Sequence, residues 1–202
     1  MLVVGLTGGI GCGKSLVSNL FNELFAIPII DADVIARELT QTSPVINLIS
    51  QQLGTEYVDK NKQLLRNKLR QAIFSDSGIR VKLENILHPL VYDQIRIKLG
   101  ELVASYCIVV IPLLLETKRT DFIDRILVVD CATDVQISRV MQRDQCSESH
   151  ARNIIATQID RENRLLLADD IIENDIIIAI VKENVALLHK KYNEISKPLN
   201  KA

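Results

Sequence analysis

Cysteine is sparse and unpatterned in this chain. Four cysteines occur among 202 residues, at positions 12, 107, 131 and 146. No C-x-x-C pair or neighbouring histidine accompanies them, which argues against a zinc site or a disulfide framework. Three read as packing residues; Cys12 stands apart because it lies in a loop whose backbone N–H groups can favour its thiolate. An excess of either charge is also missing. With 24 basic residues against 25 acidic, the net charge is −1, so no global field draws the chain to nucleic acid or an anionic membrane, and anion binding has to be local. The apolar run Cys107 to Leu115 falls far short of the ~20 residues of a membrane helix and contains Pro112, so it reads as a buried strand. The N-terminus lacks the basic start of a signal peptide and its apolar stretch ends at Gly8, which places the expected protein in the cytoplasm. Repeats and low-complexity tracts are absent.

What is present is a core-forming composition, 48% hydrophobic and 24% charged, of a length that suits one soluble globular domain. The most informative segment follows the apolar run Leu2 to Thr7. Gly8-Gly9-Ile10-Gly11-Cys12-Gly13-Lys14-Ser15 matches the phosphate-binding pattern G-x-x-x-x-G-K-[ST]. Its glycines permit backbone conformations that let successive N–H groups turn toward phosphate oxygens at a helix N-terminus. Lys14 adds a point charge, and the Ser15 hydroxyl can reach a magnesium ion bridging the terminal phosphates. By chance such a pattern arises in roughly one chain per hundred of this length. Here a strand-like run precedes it, and Leu16, Val17, Leu20, Phe21 and Leu24 follow at helical spacing, the order the mechanism demands.

Strand-length apolar runs recur at Leu2–Thr7, Ile27–Ile30, Cys107–Ile111, Ile126–Val129 and Ile171–Ile172 with helical segments between them. This alternation predicts a parallel α/β sheet covered by helices, with the strand C-termini on one edge. The stretch from Val34 to Ser105 interrupts the rhythm with helical pattern, Pro44 starting one helix and Gly54 ending one, and reads as a helical insertion. A polar region with Arg139, Arg143, Arg152, Arg161 and Arg164 has the look of a lid. From Ile176 to Ile195, a closing helix would bury Ile177, Ile180, Val181, Leu188, Tyr192 and Ile195.

Two carboxylates, Asp31 and Asp33, follow the second strand. One could accept a substrate hydroxyl proton as that oxygen attacks the γ-phosphate, or help hold magnesium; alternatively, Asp33 caps the helix that begins there. Arg139 and Arg143, four apart on a helix, could point at one phosphate and close over it, or could form a solvated face. A switch GTPase is disfavoured, because Asn61-Lys62-Gln63-Leu64 lacks the aspartate of N-K-x-D and no D-x-x-G occurs. A small-molecule kinase is the reading that remains; a non-catalytic nucleotide-binding module is its rival.

These residues together resemble the dephospho-coenzyme A kinase family. The resemblance spans Gly5 to Gly11 leading into the P-loop, Asp31-Ala32-Asp33 with Ile35-Ala36-Arg37, Leu83 to Val91 including His88-Pro89, and Pro112 to Glu116. It continues through Arg139, Arg143-Asp144, Gln158, and Ala168 to Asn174. It implies a P-loop NTPase-type three-layer fold as a single domain over 1–202, with a five-stranded parallel sheet, a helical substrate-binding insertion at about 34–105 and a helical lid at about 139–164. It implies ATP and Mg2+ as cofactors and dephospho-coenzyme A as acceptor, in a monomer or weak homo-oligomer. Asp33 then looks like the base for the ribose 3′-hydroxyl, with Lys14, Arg139 and Arg143 completing the catalytic set. Gly8, Gly9, Gly11, Cys12, Gly13, Lys14, Ser15 and Leu16 hold the nucleotide phosphates, and Asn174 falls near the adenine. Asp31, Arg66, Arg70 and His88 resemble acceptor-binding residues, and Ser15 and Asp31 the metal-binding ones. His88 has a structural rival, a hydrogen bond at the helix junction made by Pro89. The chain departs from the family pattern at Cys12 (usually Ser or Thr), Leu16 (usually Thr), Leu65 (commonly Asp, which puts a salt bridge to Arg66 in doubt) and Leu115 (often Phe).

Overall fold

A computed structural model of the chain describes residues 1–117, 121–175 and 177–197. Five strands, β1 (Leu2–Gly8), β2 (Ile29–Asp31), β3 (Tyr106–Val110), β4 (Arg125–Asp130) and β5 (Asp170–Glu173), form one sheet in the order β2-β3-β1-β4-β5. β1 runs parallel to β3, with Leu2 opposite Tyr106, and to β4, with Val4 opposite Arg125; β4 is parallel to β5. The five strands expected from apolar runs all form, and the α/β class with a parallel sheet stands. The runs are unbroken rather than alternating because the central strands are covered on both faces: every residue of β3 is buried.

The helices are α1 (Lys14–Phe25), α2 (Ala32–Leu39), α3 (Ser43–Leu53), α4 (Arg66–Ser75), α5 (Ser77–Glu101), α6 (Leu114–Thr117), α7 (Thr133–Asp144), α8 (Glu148–Ala156), α9 (Arg161–Leu166) and α10 (Ile178–Ile195). None of the described helices is long and apolar enough to cross a membrane. The chain divides into two compact units, residues 1–30 with 102–202, and residues 31–101.

In the first unit, Val4, Leu6, Val17, Phe21, Ile108, Leu127, Ile172 and Tyr192 share one buried cluster, with α1 and α10 packed together against the sheet. The stripe α10 buries is Val181, Val185 and Tyr192, with Leu188 half-buried. Ile177, Ile180 and Ile195, expected on that face, are exposed. Spacings of four, three and four keep the buried set on one line, and the other isoleucines fall off it. Ile176, the expected start of the helix, lies outside the described residues. Asp170 on β5 ties three elements: Arg125 Nε on β4 reaches it at 2.6 Å, Lys191 Nζ at 2.5 Å and Tyr192 Oη at 3.1 Å, both on α10. Burial raises the Asp170 carboxyl, and the hydrogen bonds from Arg125 and Lys191 with the field of Arg125 outweigh it, leaving the group below the usual carboxylate range.

The second unit has its own core of Val45, Ile49, Tyr57, Leu69 and Ile86. Pro44 sits in the first turn of α3 and Gly54 caps its end, as expected. Its only described β pairing is an isolated antiparallel bridge between Val58 and Leu64. α5 continues through Pro89 for 25 residues, so the proline makes no helix junction for His88 to bond. Half-buried, the His88 ring meets Tyr92 edge-on at 6.4 Å.

Candidate active site

β1 delivers the chain into the glycine-rich loop, and α1 begins at Lys14 directly after Gly13, whose φ of 90° suits glycine. The α1 N-terminus has no capping side chain and no acidic residue in its first turn. Its orphan N–H groups are therefore left for a ligand anion. The loop's carbonyls, by contrast, are taken by protein donors one after another. Lys14 Nζ donates to Gly8 O at 2.8 Å and to Gly9 O at 3.3 Å. Gln136 Nε2 donates to Ile10 O at 2.8 Å, Arg139 Nη1 to Gly11 O at 3.2 Å and Asn174 Nδ2 to Cys12 O at 2.7 Å. Gln158 Oε1 accepts from Ile10 N at 2.8 Å. A Cβ would strike the Val129 backbone carbonyl at Gly8, the Gln136 amide at Gly9 and the Asn174 amide at Gly13, so the close approaches at these three places favour glycine. Side chains from α7, from the end of β5 and from the turn after α8 thus hold the loop open.

This geometry alters the reading of two residues. Arg139, expected to contact phosphate, is half-buried and also donates through Nη2 to Asn174 O at 2.7 Å; Asn174, expected near adenine, is 5% exposed and bonded to the loop backbone. Nor do Arg139 and Arg143 converge here. Arg143 is exposed and pairs with its neighbour Asp144, Nε to Oδ1 at 2.9 Å and Nη2 to Oδ2 at 2.7 Å. The loop carbonyls draw Arg139 inward, whereas Arg143, one turn on, has a carboxylate beside it.

Two further arginines of the polar region belong to this unit. Arg161 clasps Asp130, the last residue of β4, with its Nη2 at 2.6 Å from Oδ2. Arg164 is 4% exposed, donates to Ile159 O at 3.3 Å and leaves its Nε without a partner; its Nη2 comes to 3.1 Å from where a Gly9 Cβ would stand. Cys12 and Cys131, read separately as a loop residue and a packing residue, are neighbours, with their sulfurs 3.3 Å apart.

In the second unit, Asp31 is the N-cap of α2: its Oδ1 accepts from Asp33 N at 2.8 Å and Val34 N at 3.2 Å. The capping role considered for Asp33 therefore falls to Asp31, and Asp33 is an exposed residue in the helix's first turn. Arg66 opens α4; with Leu65 before it in place of an acid, its Nη2 is held instead by Arg37 O and Thr40 Oγ1, each at 3.0 Å. It lines a cavity of about 590 Å³ with Thr40, Gln41, Asn61, Lys62 and Gln63. Arg70 is exposed one turn further along α4. Among the described residues no group of three or more His, Cys, Asp or Glu side chains could hold a metal ion. Ser15 is exposed at the start of α1, and the Asp31 Oδ2 is not used by the cap of α2.

Compared with known families, residues 2–179 match the statistical model described as Dephospho-CoA kinase. The chain belongs to the dephospho-CoA kinase family. A dephospho-CoA kinase of Coxiella burnetii is 47% identical over 198 residues, covering 97% of this chain and 99% of its own. Among solved structures, a dephospho-CoA kinase from Campylobacter jejuni superposes with a TM-score of 0.69 at 25% identity, over 96% of this chain and 98% of that one. The Thermus thermophilus protein TT1252 does so with a TM-score of 0.80, also at 25% identity, over 94% and 97%. Within this dephospho-CoA kinase fold, Gln136 and Asp130 were not anticipated. Asp130 carried a signal, an acidic residue closing a buried apolar strand as Asp31 does. Gln136 carried none, being one polar residue among several on α7, and only the fold reveals that it is 1% exposed.

Proposed function

We infer that the chain transfers the γ-phosphate of ATP to the ribose 3′-hydroxyl of dephospho-coenzyme A, yielding ADP and coenzyme A. The observation that carries this reading is the phosphate loop with its carbonyls held by Gln136, Arg139 and Asn174, in a chain related nearly end to end to dephospho-CoA kinases. The N–H groups of Gly9, Gly11 and Gly13 to Leu16, with the Lys14 ammonium, receive the phosphates of ATP, while those of Ile10 and Cys12 are taken within the protein. Asp33 takes the proton of the attacking hydroxyl. Ser15, with Asp31 Oδ2 as the second donor, would hold magnesium, which when bound spreads charge on the terminal phosphates. Arg143 exchanges Asp144 for phosphate oxygens, while Arg139 and Asn174 keep the cradle in shape. Arg66, Arg70 and His88 receive the acceptor.

Purified chain mixed with magnesium, ATP and dephospho-coenzyme A should release ADP and coenzyme A; ADP at the acceptor-free rate would overturn the reading. Asp33→Asn should lower turnover about 10²–10⁴-fold with ATP affinity kept. Unchanged turnover would remove Asp33 from the role of base.

A further inference from the structure

The sulfurs of Cys12 and Cys131 meet beneath the phosphate loop, and none of the roles above uses either thiol. Cys12 is 0% and Cys131 1% exposed, both are free thiols, and the Cys131 S–H donates to Cys12 Sγ over 3.3 Å. Two small buried hydrophobes pack equally well with their sulfurs apart. These two instead meet through an S–H···S hydrogen bond, in surroundings that contain the guanidinium of Arg164 and the ammonium of Lys14. We propose that Cys12 and Cys131 form a reversible modification site, in which a hydroperoxide converts the pair to a disulfide and thereby disables the nucleotide cradle.

The chemistry divides between the two sulfurs. The hydrogen bond from Cys131, opposed by burial and by the carboxylate of Asp130 and helped by the charges of Arg164 and Lys14, holds the Cys12 thiol below its ordinary value. The same hydrogen bond, together with burial, pushes Cys131 up. Cys12 is therefore the sulfur that attacks, giving up its proton as it does so. It attacks one oxygen of hydrogen peroxide; an S–O bond forms, the O–O bond breaks, and the departing hydroxide takes up a proton to become water. The Cys131 sulfur, losing its proton, then displaces hydroxide from the sulfenic acid of Cys12, forming the S–S bond and a second water. Two thiols lose two electrons and one peroxide gains them. Burial on this scale favours an oxidant close to water in size over a bulky disulfide.

Closing the bond requires the sulfurs to approach by about 1.3 Å, from 3.3 Å to the ~2.05 Å of a disulfide. Cys131 follows directly on Asp130, whose carboxylate is clasped by Arg161 and whose carbonyl accepts from Asn174 N at 2.8 Å. Cys12 is tied as well, its carbonyl accepting from Asn174 Nδ2 at 2.7 Å, so closing the bond pulls on the same contacts that give the phosphate loop its shape. Displacing catalytic geometry by about 1 Å can cost about 10²-fold in rate.

The test exposes the intact chain to hydrogen peroxide and follows intact mass, peptide linkage and turnover together. Expected are a species lighter by two hydrogens, a Cys12–Cys131 linked peptide, a fall in turnover of about 10²-fold, and recovery of both mass and turnover with dithiothreitol. Cys131→Ala should match the parent before oxidation and give no lighter species after it; Cys131→Ser serves the same purpose should the alanine variant fold poorly. Only heavier, oxygenated species, or a linked pair with unchanged turnover, would overturn the proposal. The mass readout is independent of which acceptor the enzyme phosphorylates.

Discussion

Asn174 shows how much one side chain can hold. Its amide donates to Cys12 O, and its own carbonyl accepts from Arg139, so it joins the end of β5 to the phosphate loop and to α7. Replacing it with alanine leaves a buried carbonyl without its donor, at a cost of about 1–3 kcal/mol, or a melting point lower by about 2–4 °C per kcal/mol for a chain of this size. Asn174→Ala should therefore both lower the melting temperature and weaken ATP binding. An unchanged melting temperature with a raised KM for ATP would return the residue to adenine contact. The residue scale is also where the sequence was hardest to read. With two carboxylates two positions apart, pattern alone could not say which caps the helix; the extended backbone of Asp31, φ −109° and ψ 118°, decides it. The partners of Arg139 are backbone carbonyls 128 and 35 residues away, and spacing carries no information about them.

The strands, by contrast, were legible as elements, because being covered on both faces writes itself into the chain as uninterrupted apolar runs. Their edges were less so: the polar ends of β4 and β5 carry the network around Asp170, which only pairing brings together. A pH dependence belongs to this scale. The folded-state carboxyl of Asp170 lies below its unfolded value, so its contribution to stability is present above the unfolded value and is lost as pH falls through the folded one. Denaturation of the parent and of Asp170→Asn, followed from pH 7 downward, should show a stability gap that is constant to about pH 5 and narrows below about pH 4. A gap that persists undiminished into strong acid would show that the carboxylate charge is not what stabilises the junction of β4, β5 and α10.

At the scale of the whole molecule, the two compact units have separate hydrophobic clusters, one around Leu6 and Ile108 and one around Ile49 and Tyr57. Ile49 is 0% exposed, and Ile49→Ala should cost about 2–5 kcal/mol. Native-state hydrogen exchange should register that loss across residues 31–101 while amides of β1 and β3 keep their protection. Equal acceleration in both would mean that the units open as one. The insertion was legible as a long helical interruption, and its division into four α-helices and a bridge was not, since neither Val58 nor Leu64 sits in a strand-like run.

The donors that hold the phosphate loop come late. The loop lies in residues 8–15, and its partners stand at 136, 139, 158 and 174. At about 5–20 residues per second of synthesis, the nascent loop waits on the order of 8–33 s for Asn174, after strands β3 and β4 have become available to β1. Until then the set of donors that holds its carbonyls is incomplete, and a ribosome halted before the end of β5 would carry a chain with a complete phosphate motif and an unfinished cradle.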